Sequence, residues 1–173
     1  MTTERPSQGL RRALGAYPTG VAVVTAAGPQ TQVGLTVNSF SSVSLNPPLI
    51  LFSVAGSAPS LPVLQTASHY TVNVLGGWQR ELALRFARPA PDKFEGIEWR
   101  PGVGEAPLLA GCYAYFQCAS YATYPGGDHT IFLGEIVEFV AHSGPPLVFH
   151  GGDFCSLEQA LSHEIQPWGI PAS

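Results

Sequence analysis

The sequence predicts a mainly β fold, a closed or nearly closed β-barrel with a few short helices. Three observations carry that expectation. Short apolar or alternating runs recur along the chain, among them VAVVTAA, TQVGLTV, PLILFSV and HYTVNVL, each bounded by turn residues. The 16 prolines and 19 glycines are spread over the whole length and cut any helix to a few turns. No strand-helix-strand rhythm runs through the chain, which argues against a parallel sheet.

The elements follow in order. Leu10, Ala13, Leu14 and Tyr17 recur at helical spacing until Pro18 and Gly20 stop the pattern, so residues 8–16 make a short amphipathic helix. The four strand-like runs come next, separated by GPQ, by SLNP and by a longer segment beginning AGSAPS. In that segment Ser60 can cap a turn that Leu61, Pro62, Leu64 and Gln65 continue. After Gly77, Trp78, Leu82 and Phe86 fall at i, i+4 and i+8, which predicts a helix with those three buried. Gln79, Arg80, Arg85 and Arg88 would then reach solvent or a ligand. RPAPDKFEGIEWRPGVGEAPLL is a loop of the length that belongs to a lid or a dimer contact. Two long strands, CYAYFQCASYATY and HTIFLGEIVEFVAH, are joined through Pro125-Gly126-Gly127-Asp128, and a last strand, PLVFH, leads into GGDF.

Composition limits the function. With 173 residues, 45% hydrophobic and 12% charged, one well-buried domain is expected over residues 1–155 and a C-terminal tail over 156–173, where Pro167, Trp168 and Pro171 can pack on a neighbour. A net charge of −4 with 8 Lys+Arg argues against nucleic acid as partner. The apolar runs are far shorter than the roughly 20 residues that span a bilayer. Met1 to Leu10 is polar, without the apolar core of a signal peptide, so no membrane association and a cytoplasmic location are expected. Cys112, Cys118 and Cys155 form no C-x-x-C pair and read as reduced thiols. His129, His150, Asp153 and Cys155 are the metal-ligand candidates, and their spacing matches no metal motif, so no metal site is expected. GVGEA lacks the strand-turn-helix context of a Rossmann site, and no G-x-S-x-G elbow is present.

The chemistry concentrates in GLTVNSFSSVSLNPPLILFSV, Gly34 to Val54. Thr36, Asn38, Ser39, Ser41, Ser42 and Ser44 put polar groups on both faces of an extended segment, where a half-buried strand would alternate. A buried hydroxyl without a partner costs on the order of 1–3 kcal/mol, so this run is either solvated or matched to a polar ligand. Backbone groups beside Thr36 to Ser39 would match a ring edge with alternating acceptors and donors, such as the pyrimidine half of a flavin. Ser57 and Ser60, at the opening of a short helix, suit a phosphate, with Arg85 as a candidate bidentate partner. Asp128-His129 presents an imidazole at a strand end as a proton donor or as a hydrogen-bonding group for a second ligand, or simply shapes the turn.

The ordered set LRRALGAYPTGVAVVTA, GLTVNSFSSVSLNPPLILFSV, SAPSLPVL, YTVNVLG, LALRFA, DKFEGIEW, PLLAG, GDHTIFLGEIVEF and PPLVFHGGDF resembles the flavin reductase-like family, the small NAD(P)H:flavin oxidoreductases that supply two-component monooxygenases. The resemblance implies a split β-barrel of Greek-key type and an intimate homodimer with flavin near the subunit interface. It places Thr36, Val37, Asn38 and Ser39, with Ser53 and Val54, along the ring system, and Ser57 and Ser60 at the phosphate end. Pro18 and Thr19 approach the flavin, Arg85 and Phe86 join its site, and His129, the one residue with a catalytic role, faces the nicotinamide side with Phe154. The implied activity is hydride transfer from NADH or NADPH to FMN, with FAD as the other flavin and a flavin-dependent monooxygenase as recipient. Asn38, Ala58-Pro59 and Phe154 depart from the family pattern and leave the flavin choice open. A flavin carrier or sensor, and a split-barrel flavin oxidase of a bound small molecule, are the alternatives.

Overall fold

The computed structural model describes residues 6–29 and 31–157. After helix α1 (Pro6–Gly15) come strands β1 (Thr19–Gly20), β2 (Ala22–Ala27), β3 (Gln32–Val37), β4 (Ser41–Leu45) and β5 (Pro48–Ala55). Helix α2 (Leu61–Thr66), strand β6 (His69–Val74) and helix α3 (Arg80–Ala87) follow, then β7 (Trp99–Pro101) and β8 (Pro107–Leu109) around a 3-10 turn. The long hairpin β9 (Ala114–Gly126) and β10 (His129–Ala141) precedes β11 (Val148–His150) and β12 (Asp153–Cys155).

Seven strands form one antiparallel sheet in the order β3-β2-β6-β9-β10-β5-β4, while β1-β11-β12 and β7-β8 make smaller sheets. Strand β2 shows why VAVVTAA is apolar throughout. Ala22, Val24 and Ala26 point into the barrel with Ile50, Phe52, Val54, Tyr70, Val72 and Phe132. Val23, with Val21 just before the strand, faces a second core of Leu75, Ala83, Phe86, Leu109 and Leu147. A strand covered on both faces has no solvent side on which to place polar residues. Inside the barrel, Phe52 stacks on Phe132 at 5.1 Å, with Tyr70 edge-on to Phe52 at 5.1 Å. Each such ring contributes about 1.5–3 kcal/mol of burial. The buried Tyr70 hydroxyl donates to the Leu133 carbonyl at 2.6 Å. Gly134 makes the room, since a Cβ there would lie 2.6 Å from that hydroxyl.

The segment between β3 and β4 is tied to β5 at a seam. Strand β4 pairs Ser41 with Leu51, and continuing that register by two residues sets Ser39 opposite Ser53. There the Ser39 hydroxyl replaces the backbone ladder, accepting from the Ser53 N–H at 2.9 Å and donating to its carbonyl at 3.3 Å. The hairpin β9–β10 turns on two residues, Gly127 and Asp128, with Gly127 at φ +73°, the first central position at which a type II′ turn requires glycine.

Several expectations need correction. The second half of the hydroxyl run is strand β4, not a connection, and Ser41 and Ser42 lie exposed on the sheet's edge strand. Helix α3 begins at Arg80, so Trp78 and Gln79 precede it, and Trp78 is 61% exposed. Gln79 is the buried one, at 7%, because its amide accepts from the Gly76 N–H and donates to the Ala110 carbonyl. Ser60 stands at the N-cap of α2 but makes no capping hydrogen bond through its side chain. The amphipathic helix forms, yet Leu10 and Leu14 are exposed in the single chain. The tail expected over 156–173 lies almost wholly outside the described residues.

Candidate functional site

The seam gathers most of the residues singled out from the sequence. Ser39 binds Ser53, and Thr36, one residue before the end of β3, donates its hydroxyl to the Ala83 carbonyl of α3 at 2.6 Å. These two hydroxyls therefore have structural work, joining three elements. Between them, Asn38 is exposed and its amide has no hydrogen bond among the described residues. The side chains of Val37 and Val54 belong to the core, which leaves their backbone for any ligand. From Ser53, strand β5 runs to Ala55, whose register partner is His129, and the Gly56 N–H donates to the Asp128 carbonyl at 2.8 Å. Ser57 follows, exposed and without a side-chain hydrogen bond. The hydroxyl segment, the serine segment and the histidine thus sit on one continuous rim.

His129 Nδ1 lies 2.6 Å from Asp128 Oδ1. A carboxylate only accepts, so the ring N–H is on Nδ1 and Nε2 is left for another group. The same hydrogen bond, with the imidazole's charge, holds the Asp128 carboxyl below its usual range.

Pro18 and Thr19 enter from the small sheet. Thr19 pairs with Phe149, on which Phe154 packs edge-on at 5.4 Å. The Thr19 hydroxyl is buried and finds no partner among the described residues, and a Cβ at the neighbouring Gly20 would meet nothing within 4 Å. An unpaired buried hydroxyl beside open space, with the unpaired Asn38 amide and Ser57 hydroxyl, is the donor and acceptor set that a polar ring system and its tail would satisfy. On these observations the residues fit a flavin.

Two residues expected at the site are placed otherwise. Phe86 is fully buried, its ring set against Gly34 and edge-on to Phe94 at 5.1 Å, so it forms the wall behind the site rather than a ligand contact. Arg85 spends part of its guanidinium on the loop: Nε donates to the Lys93 carbonyl at 2.8 Å and Nη2 to the Glu95 carbonyl. It clamps the long loop. That loop closes one side of a cavity of about 760 Å³ in which Ser60, Gln32, Gly34, Lys93, Phe94 and Trp99 take part. Lys93 Nζ donates to the carbonyls of Gly34 at 3.0 Å and Phe86 at 2.9 Å, and burial lowers its pKa from the ordinary lysine value. Sequence reasoning passed over Lys93, although one signal was available: it is the chain's only lysine.

The fold and the seam together define a split β-barrel. Within that class the chain belongs to the flavin reductase family, whose model, described as flavin reductase like domain, matches residues 14–158. It is 43% identical over 148 residues to the FMN reductase (NADH) SmoA of Agrobacterium fabrum, covering 86% of this chain and 84% of that protein. To the flavin-dependent monooxygenase reductase subunit HsaB of Mycobacterium tuberculosis it is 34% identical over 161 residues, covering 91% and 86%. Among solved structures, the Streptomyces globisporus NADH:FAD oxidoreductase SgcE6 in complex with NAD and FAD fragments superposes with a TM-score of 0.83 at 38% identity, covering 95% of each chain.

Proposed function

We propose that this protein is an NADH-dependent flavin reductase that works as a homodimer, with FMN as its flavin, and hands reduced flavin to a separate monooxygenase component. One observation carries the reading: the rim of the barrel's seam brings the Asn38, Ser57 and His129 side chains together with groups left unsatisfied by the protein itself. The relatives named above, with NADH in two of their names and a monooxygenase subunit in the third, support it. When bound, the flavin supplies the chemistry, accepting a hydride from the reduced nicotinamide.

The chain's own residues position and exclude water. Backbone from Thr36 to Ser39 and the Asn38 amide hold the ring edge, and the Thr19 hydroxyl gains the partner it lacks. The Ser39–Ser53 hydrogen bonds keep the two walls of the seam at a set spacing. His129, its Nδ1 proton directed at Asp128, turns Nε2 to the nicotinamide amide, and Phe154 lies on the same side. No side chain has to move a proton for hydride to transfer, which suits a site made chiefly of hydroxyls and backbone.

The dimer rests on apolar surface. Leu45, on the free edge of β4, is 94% exposed and Phe139 on β10 is 69% exposed, while Leu14 of α1 also faces outward. Patches of this kind mark interaction surfaces.

The deciding experiment is a steady-state assay of NADH and NADPH oxidation with FMN, FAD and riboflavin as acceptors. Turnover with NADH and FMN is the expected result. A protein that binds FMN yet oxidises neither nicotinamide would be a carrier, and the reading would fail.

A further inference from the structure

A second cavity, of about 510 Å³, lies between the β7–β8 hairpin and the far end of the β9–β10 hairpin. We propose that it binds a small carboxylic acid carrying a hydrogen-bond donor, such as a hydroxyl, at the end remote from its carboxylate: Arg100 and His142 take the carboxylate, and Glu138 takes the donor. The proposal goes beyond the flavin reductase reading and does not depend on it.

Strand register builds the floor of the cavity. Glu138 and Val140 are alternate residues of β10, and His142 follows just beyond its end, so the three share one face. Gln117 and Tyr115 of β9 stand opposite, paired with Glu138 and Val140. Phe139, between them, pairs with Phe116, which packs on the barrel core, whereas Tyr115 packs on the second core. The cavity is therefore on the face opposite the one that Phe139 offers to a second subunit. It is also separate from the cavity beside the seam. Trp99 lines that one, and Arg100, the next residue of β7, lines this one, because neighbours on a strand point to opposite sides.

The polar groups are held in place and left unused. Gln117 is 7% exposed and acts as a fixed post: Oε1 accepts from the Val103 N–H at 2.7 Å, and Nε2 donates to Glu138 Oε2 at 2.8 Å. The Glu138 carboxylate is thus set against the wall with its second oxygen unengaged among the described residues. Arg100 makes neither a hydrogen bond nor an ion pair among those residues, with Glu138 or with any other acid. Its charge is nevertheless felt inside: burial raises the pKa of the Tyr115 hydroxyl, and Arg100 is one of the groups that draw it back. His142 stands edge-on to the Tyr115 ring at 6.2 Å, its imidazole free of hydrogen bonds among the described residues. A cation and a carboxylate that line one cavity without meeting leave room between them for a molecule that satisfies both. A carboxylate matches the planar fork of arginine, while a phosphate would set a second negative charge facing Glu138. Tyr115, Val140 and Leu108 give the body of the ligand an apolar wall. The volume falls within the roughly 300–1,000 Å³ of small-molecule sites.

The probe is para-hydroxybenzoate, titrated by isothermal calorimetry into the whole protein without FMN and with FMN at saturation. A dissociation constant at or below about 1 mM is expected, and FMN should leave it unchanged. Arg100→Gln should weaken binding about ten- to hundredfold, the size of one lost charged hydrogen bond. Two further ligands on the wild type keep the proposal open to failure should the variant not fold. The amide para-hydroxybenzamide, of the same shape without the charge, should bind at least about tenfold more weakly, and benzoate, without the hydroxyl, about three- to tenfold more weakly. No binding of the probe up to about 10 mM overturns the proposal, as does equal binding of the amide or of benzoate. An unchanged affinity in Arg100→Gln overturns it too. So does displacement of the probe by FMN, which would return it to the flavin's own cavity, or equal binding of inorganic phosphate, which would leave only a bare cation. Failure of NADH oxidation would remove the flavin reductase reading without touching this result.

Discussion

Replacing Ser39 by alanine should open the seam of the barrel. The hydroxyl makes two bonds to one residue, accepting from the Ser53 N–H at 2.9 Å and donating to its carbonyl at 3.3 Å. Beyond Ser41 the β4 ladder offers Ser53 no further partner, so both backbone groups lose theirs together. The shorter bond is worth about 1–1.5 kcal/mol and the longer about 0.5 kcal/mol, and partial compensation by water at a half-buried position leaves a total of about 1.5 kcal/mol. For a chain of this size each kcal/mol moves the melting temperature by about 2–4 °C, giving a fall of about 3–6 °C. Differential scanning calorimetry at fixed protein concentration measures it, with Ser41→Ala as control, since the exposed Ser41 hydroxyl reaches only the neighbouring Ser42 carbonyl. FMN affinity should weaken in the same variant, because Asn38 and Ser53 lose their common tether. A Ser39→Ala protein that melts within 1 °C of wild type would refute the claim that this hydroxyl closes the barrel.

His129→Ala should slow reduction of the flavin-loaded protein by NADH about ten- to hundredfold in stopped flow, with the affinity for oxidised flavin little changed, because the lost hydrogen bond is to the second ligand. An unchanged rate would leave His129 as a residue that only shapes the Gly127 turn. Leu45→Asp combined with Phe139→Asp should convert the dimer to monomer in light scattering at micromolar concentration, since a carboxylate buried without a partner opposes association; a wild-type monomer would remove the dimer altogether. Burial raises the Cys112 and Cys118 thiols to about 12, so both stay protonated at pH 8, and a thiol reagent should titrate Cys155 alone in the native protein and all three cysteines in denaturant.

The sequence by itself determined the mainly β class, most of the strands and the family. The apolar run VAVVTAA announced a strand, and the Gly127-Asp128 turn announced a hairpin that sets His129 at a strand end. It did not separate one serine from the next. Ser39 and Ser41 are the same residue two positions apart in the same run, but Ser39 bridges the seam and Ser41 lies on an exposed edge. The sequence also pointed to Arg85 as the free cation and passed over Lys93. Tertiary structure decided both cases, because the partners that settle them are distant in the chain: Ser53 lies 14 residues from Ser39, and Gly34 lies 59 from Lys93. Periodicity and turn chemistry act over a few residues and are written locally, whereas the partner of a hydroxyl or an ammonium is set only when the barrel closes and brings those distant carbonyls and N–H groups within reach.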